Sequence, residues 1–291
     1  TTDLCYIRSP EVVQPLLEAN VPVVLELHTL PRWRRSRFVR FCNHCHVVVC
    51  LTSLMREQLR AWQVQEKRLI VEADGVELSR FVDVTMKSVQ QPVIGYVGSF
   101  VTQDTIEKGV NVLIGALGVL KKRGKTFSAK LIGGTKEWID RYAARARSLD
   151  IEKEVTFEEM IPSNDVPAVL ASCDLLVYPA PKSNHPYFQR DTSPLKIFEY
   201  LASGRPIVCA DLPPLRDVVD EDIVTFCEPG NPTSMANAVE WVLSHPEEAQ
   251  EKAARGRELV QEHSWEKRME RILEGVLVGK IPEFRNEVEH L

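Results

Sequence analysis

Short β-branched runs alternate with longer stretches of helical periodicity along most of this sequence. Residues 47–51 read Val-Val-Val-Cys-Leu and residues 92–97 read Pro-Val-Ile-Gly-Tyr-Val. Runs this apolar leave no face for solvent, so they suit strands of a parallel sheet covered on both sides. Further strands are expected at 21–27, 68–72, 128–132, 155–157, 175–178, 206–209 and 224–226. Helices are expected between them at 9–18, 53–62, 109–123, 138–149, 164–172, 194–203, 215–219, 232–243 and 246–262. Repeated strand–helix–strand units specify an α/β fold built from doubly wound parallel sheets.

The polar stretch 82–91, without clear helical periodicity, precedes a fresh strand and marks a domain boundary. The block from 92 to about 262 is long enough for a complete Rossmann-like domain, and the block before 82 for about half of one. With 44% hydrophobic and 26% charged residues, the chain is neither collagen-like, disordered nor a disulfide-rich mini-protein. A net charge of −5 gives no global reason to bind nucleic acid. No apolar run approaches the ~18 residues of a membrane span. The seven cysteines are odd in number and scattered, which points to reduced thiols and a cytoplasmic setting. Cys50, Cys173 and Cys209 fall in strand-like runs and are expected in the core.

One stretch concentrates chemistry: Asp191-Thr-Ser-Pro-Leu-Lys-Ile-Phe-Glu199, continuing to Gly204. Ser193 suits an N-cap, Pro194 the first helical position and Gly204 the helix end. The free N–H groups of residues 193–196 would then form an anion site fit for a diphosphate. Glu199, over one turn further in, can reach back toward sugar hydroxyls, and Asp191 sits in the preceding loop. An ordinary capped helix with two solvated acids is the competing reading of the same residues.

Other segments bring in a family. Asp74-Gly-Val-Glu-Leu-Ser-Arg-Phe81, Gly95-Tyr-Val-Gly98 with Lys108-Gly109-Val110, Leu131-Ile-Gly-Gly134, Val155-Thr-Phe157 with Ile161-Pro162, Cys173-Asp174 through Pro179, and Ser264-Trp265-Glu266 fall in order. Together with Asp191-x7-Glu199, their sequence resembles the retaining GT-B glycosyltransferases of the group 1 (family four) class, over nearly the whole chain. The resemblance implies an enzyme that moves a sugar from a nucleoside-diphosphate-sugar to an acceptor hydroxyl with retention of configuration. It implies no cofactor and no catalytic metal, because basic residues and helix N-termini take the metal's place. Its domains would be a partial acceptor-side Rossmann-like domain at 1–88, a nucleotide-sugar-binding domain at 89–264, and a terminal helix at 265–291 crossing back toward the first. Relatives carry further chain before residue 23, and the sequence opens at Thr1 without Met. The N-terminal domain is therefore expected to be incomplete and the chain a truncated product.

Residue by residue, the resemblance places Glu199 on the ribose, and Gly98, Ser99 and the amides of Thr192, Ser193 and Leu195 on the diphosphate or donor sugar. Lys108 would neutralise the diphosphate, and the backbone near Ile161 would meet the base. Asp191 would lie near the reacting centre. His28, at the end of the strand Val23-Val-Leu-Glu-Leu27, matches the family's Glu-x-His strand and would contact the donor sugar. This sequence departs from the pattern at Ser99, where many relatives carry a phosphate-binding Arg, and at Asp191, where they carry Glu. These departures motivate an alternative, a non-catalytic nucleotide-sugar-binding or partner subunit.

Arg32, Trp33, Arg34, Arg35, Arg37 and Arg40 form a basic stretch interleaved with aromatics. A membrane-surface patch serving a lipid-linked acceptor is one reading and a solvated helix face the other; the acceptor could equally be a sugar or a protein. Cys42-Asn-His-Cys45-His46 has haem-attachment spacing and also reads as a partial zinc site, but no second ligand pair follows, so the stretch is expected to end a helix and lead into the strand at 47–51.

Overall fold

The computed structural model describes residues 4–81, 91–102 and 106–278. Most of the expected boundary segment at 82–91 lies outside them. The chain divides into two compact units: the described parts of 1–75, 185–193 and 265–291 form the first, and those of 76–184 and 194–264 the second.

The first unit carries a four-stranded parallel sheet in sequence order: β1 (Cys5–Ile7), β2 (Val23–Leu27), β3 (Val47–Cys50) and β4 (Leu69–Val71). Helices α1 (Val13–Glu18), α2 (Arg35–His44) and α3 (Ser53–Ala61) connect the strands. Alternation sorts the buried side chains between two faces. Leu25, Leu27 and Val48 join Val13, Leu17, Phe38, Met55 and Leu59 on one. Val24, Val47 and Val49 face Ile272 on the other. Burying one such isoleucine contributes roughly 1.5–3 kcal/mol, so the late segment bearing Ile272 is an integral layer of this unit.

The second unit holds six parallel strands: β5 (Val93–Val97), β8 (Ser128–Gly134), β9 (Val155–Glu159), β10 (Leu175–Tyr178), β11 (Ile207–Ala210) and β12 (Thr225–Cys227). A small antiparallel pair, β6 (Val101–Thr102) and β7 (Ile106–Glu107), follows β5. The sheet order is β12-β11-β10-β5-β8-β9. This is the doubly wound 3-2-1-4-5-6 arrangement, and the winding reverses between β5 and β10, where such sheets open a crevice at their carboxyl ends. The helices are α4 (Val110–Lys122), α5 (Lys136–Ser148), α6 (Val166–Ala171), α7 (Leu195–Ser203), α8 (Pro232–Ser244) and α9 (Pro246–Leu259). The last helix, α10 (Trp265–Val278), belongs to the first unit and carries Ile272.

The structure corrects three expectations. Residues 215–219 were expected to be α-helical, but a 3₁₀ turn, Pro213–Asp217, occupies the region, and its tandem prolines limit helical hydrogen bonding. The loop before residue 194 contains a π-helical turn, Tyr187–Asp191. Helix α7 starts at Leu195, its N-cap is Pro194 with no side-chain bond, and Ser193 is therefore not the cap. The Ser193 hydroxyl instead accepts the Asp74 backbone N–H at 2.8 Å.

Candidate functional site

In the first unit, charged groups gather at the carboxyl ends of the strands. Glu26 lies in β2 with 0% exposure, among valines and leucines. A carboxylate so placed must be paired or hydrogen-bonded. Arg268 Nη2 and His28 Nε2 each lie 2.6 Å from it and Arg8 Nε 3.0 Å, and the Tyr6 hydroxyl also donates to it. Burial pushes the Glu26 carboxyl up, but the bonds from His28 and Tyr6 and the charge of Arg268 outweigh it and hold the group at about 2. Burial, with the Glu26 charge, pushes Tyr6 up to about 12.

Asp74 follows β4 and is buried as well. Burial raises its carboxyl to about 6 against the lowering effect of His28 and Arg268. Arg268 is 2% exposed and also donates from Nε to the Ala73 carbonyl at 2.6 Å. The outcome is a carboxylate-oriented imidazole at a strand end, a standard device for fixing a proton donor or acceptor. Asp191, in the same unit, is buried and paired with Arg190 through Nε at 2.5 Å and Nη2 at 3.0 Å. The Arg190 carbonyl accepts the Thr52 hydroxyl at 2.6 Å, and Thr52 in turn caps α3. Thr192 is buried beside this pair in sequence.

In the second unit the crevice at the winding reversal is occupied by a glycine turn and a lysine. Gly98 follows β5 at φ +141°, a backbone region that disfavours a side chain. A Cβ there would come within 2.8 Å of Lys196 Nζ. Lys196, in the first turn of α7, donates to the Tyr96 hydroxyl at 2.6 Å, and that hydroxyl donates to the Ser99 carbonyl at 2.8 Å. Tyr200, one turn along the helix, clamps the end of β5 through both the Val97 N–H and C=O. Lys108 and Glu199 are close enough to act on Lys196 in opposite senses. Burial raises the Glu199 carboxyl, opposed by Arg80 and Lys196. Ile161 lies past the carboxyl end of β9 in the same unit, and Leu195 is exposed at the start of α7.

Residues 82–259, more than half of the chain, match the family described as glycosyl transferases group 1. The chain is a group 1 glycosyltransferase. Solved structures share its α/β, GT-B-type fold. The Anabaena protein HepE in complex with UDP matches 95% of this chain and 79% of its own, with 16% identity and a TM-score of 0.76. A glycosyltransferase from Rickettsia africae matches 95% and 76%, with 16% identity and a TM-score of 0.77. Sucrose-phosphate synthase from Thermosynechococcus elongatus matches 95% and 74%, with 17% identity and a TM-score of 0.74. No curated protein matches the chain.

The expected site residues of this glycosyltransferase fall into two sets. Gly98, Ser99, Lys108, Ile161, Leu195 and Glu199 belong to the second unit, and His28, Asp191, Thr192 and Ser193 to the first. The amides expected at 192–195 do not act as one helix start. Pro194 has no N–H, and the first-turn amides are those of Leu195 and Lys196. Tyr6, Arg8, Arg268 and Lys196 were not anticipated. Lys196 did leave a signal: it lies four residues before the buried Tyr200, on the inward face of α7.

Cys50 is a core residue, as expected, Cys42 and Cys45 are buried in the same cluster, and burial pushes the thiols of Cys45 and Cys50 up to about 12. Among the described residues no group of three or more His, Cys, Asp or Glu is placed to hold a metal ion. No described helix is long and apolar enough to cross a membrane. The basic stretch forms α2 and its approach. Trp33 is 80% exposed, and Arg34, Arg37, Phe38 and Phe41 line a groove of about 280 Å³ with Pro10, Glu11 and Pro31.

Proposed function

We propose that this glycosyltransferase takes a sugar from a nucleoside-diphosphate-sugar and passes it, with retention, to an acceptor hydroxyl. The observation that carries the reading is the convergence of the Gly98 turn, Lys108, Lys196 and Glu199 at the winding reversal of the second sheet. Cations and helix amides there suit a diphosphate, and a carboxylate within reach of the same helix start suits ribose hydroxyls. That HepE is solved with UDP and with UDP-glucose supports a nucleotide-sugar of this kind. In the proposed step the acceptor oxygen bonds to the anomeric carbon on the face from which the diphosphate leaves. The carbon–oxygen bond to the diphosphate breaks, and the acceptor proton passes to the departing diphosphate oxygen. Lys108 and the Leu195 amide stabilise the charge that develops there, which is the role a metal ion plays elsewhere. Ile161 is assigned to the base, and His28 and Asp191 to the sugar-transfer step.

The reading extends to an acceptor held at a cytoplasmic membrane surface. The exposed Trp33 beside Arg34 and Arg37 supports this, since an aromatic flanked by guanidinium groups suits an anionic interface. The test is incubation with UDP-, GDP- and ADP-sugars, reading release of the nucleoside diphosphate. Release that disappears in Glu199→Ala is expected. Binding of a nucleotide-sugar with neither hydrolysis nor transfer to any acceptor would overturn the catalytic reading.

A further inference from the structure

Lys196 is 8% exposed, and its ammonium end lies 4.1 Å from the centre of the Tyr96 ring and 5.7 Å from that of Tyr178. No carboxylate forms an ion pair with it among the described residues. A buried lysine held only by a phenol and two ring faces is costly to keep. Its position is also specific. The side chain runs against Gly98, so its Nζ sits at the turn that leads into Ser99, and its one hydroxyl partner is bonded onward to the Ser99 carbonyl.

We propose that Lys196 is the second cation of the diphosphate subsite, delivering a charge from the first turn of α7 to the turn at Gly98 and Ser99. This rests on the donor-site reading above and adds a specificity-determining residue to it. The groups facing Lys196 are Tyr96 from β5, Tyr178 from β10, Lys108 from the segment before α4, and Glu199 on its own helix. Burial drives the amine toward its neutral form, Lys108 adds to that and Glu199 opposes it. An arriving diphosphate reverses the balance, since an adjacent anion favours the ammonium. Donor binding therefore takes up a proton at Lys196, and the binding energy includes a charge-assisted bond that forms only when phosphate is present.

The test is calorimetric titration of the protein with UDP, GDP and ADP and with the matching nucleosides, in buffers of different ionisation enthalpy. Lys196→Met is expected to weaken nucleoside-diphosphate binding about tenfold or more, to leave nucleoside binding unchanged and to remove the proton uptake seen with wild type. Ser99→Arg placed in the Lys196→Met background is expected to recover diphosphate affinity without recovering proton uptake. Equal loss for nucleoside and diphosphate would show a structural role and overturn the proposal. So would wild-type binding without proton uptake, a measurement that needs no variant. Wild-type protein that binds none of the three nucleotides overturns the donor-site reading and this assignment together; wild-type binding that Lys196→Met leaves intact overturns this assignment alone.

Discussion

Glu26 and Arg268 stand 242 residues apart in the sequence and meet at 2.6 Å, both withdrawn from solvent. Removing one member of a buried pair strands the other charge, at a cost of roughly 3–5 kcal/mol. Arg268→Met should lower the stability of the first unit by about that much. The double variant Glu26→Gln/Arg268→Met should cost less than the two single changes added together. Urea unfolding of the four proteins measures the coupling; strict additivity would show that the pair is not energetically linked.

The two acids of this cluster should give opposite pH dependences. Asp74, held at about 6, binds its proton more tightly in the folded state than in the unfolded chain, where the value is about 3.9. Its contribution to stability is whole below about pH 4 and is lost as the pH rises through 6. Glu26, held at about 2, contributes above its unfolded value of about 4.3 and loses that contribution as the pH falls toward 2. Thermal melts of wild type and Asp74→Asn should therefore diverge between pH 4 and 6, with wild type losing stability relative to the variant as the pH rises. A constant gap across that interval would contradict the assignment.

Much of this architecture is legible in the sequence because burial leaves a pattern. Strands such as Val47–Cys50 and Val93–Val97 are apolar at every position, which is what coverage on both faces demands. β1 is not legible: Cys5–Ile7 is three half-buried residues with no alternation to detect. The start of α7 misleads, since Ser193 has the chemistry of a cap and spends its hydroxyl on Asp74 instead. Glu26 announces by its apolar neighbours that it must have a partner, yet nothing local says that the partner is Arg268. Long-range pairing is set by topology, and no short window of sequence contains it. Lys196 falls between these cases, because its place on the inward face of α7 is readable while the Gly98 turn it meets is not.

Glu199 and Lys108 should each matter to donor binding. Bonds to charged groups contribute roughly 1.5–3 kcal/mol, so Glu199→Ala or Lys108→Ala should weaken nucleotide binding by about 10- to 100-fold. Competition titrations with a fluorescent nucleotide read this directly. Unaltered affinity in both variants would remove these residues from the donor site.

Gly109 should tolerate no side chain. It caps α4 at φ +86°, and an added Cβ would lie 2.6 Å from the Ala180 backbone, which cannot rotate away as a side-chain end could. Gly109→Ala should cost more than about 1–3 kcal/mol, the strain of the backbone conformation alone. A melting temperature within a degree of wild type would show that the segment yields.

The groove on α2 should confer salt-sensitive attraction to anionic vesicles. Each basic residue near such a surface contributes about 1 kcal/mol. Arg34→Glu/Arg37→Glu should therefore abolish most co-sedimentation with phosphatidylglycerol vesicles, and Trp33→Ala should weaken it at every salt concentration. Equal sedimentation with neutral vesicles would argue against an electrostatic interface.

The return of residues 265–278 to the first unit has a consequence for the order in which the molecule can be made. A ribosome adding about 5–20 residues per second adds Arg268 roughly 10–50 seconds after it has added Glu26. Through that interval the β2 carboxylate has no Arg268 counter-ion and one face of the nascent sheet lacks Ile272. The strands of the first unit therefore emerge before those of the second but wait longer for their last layer, and the second unit can close around its own core while the first still lacks α10.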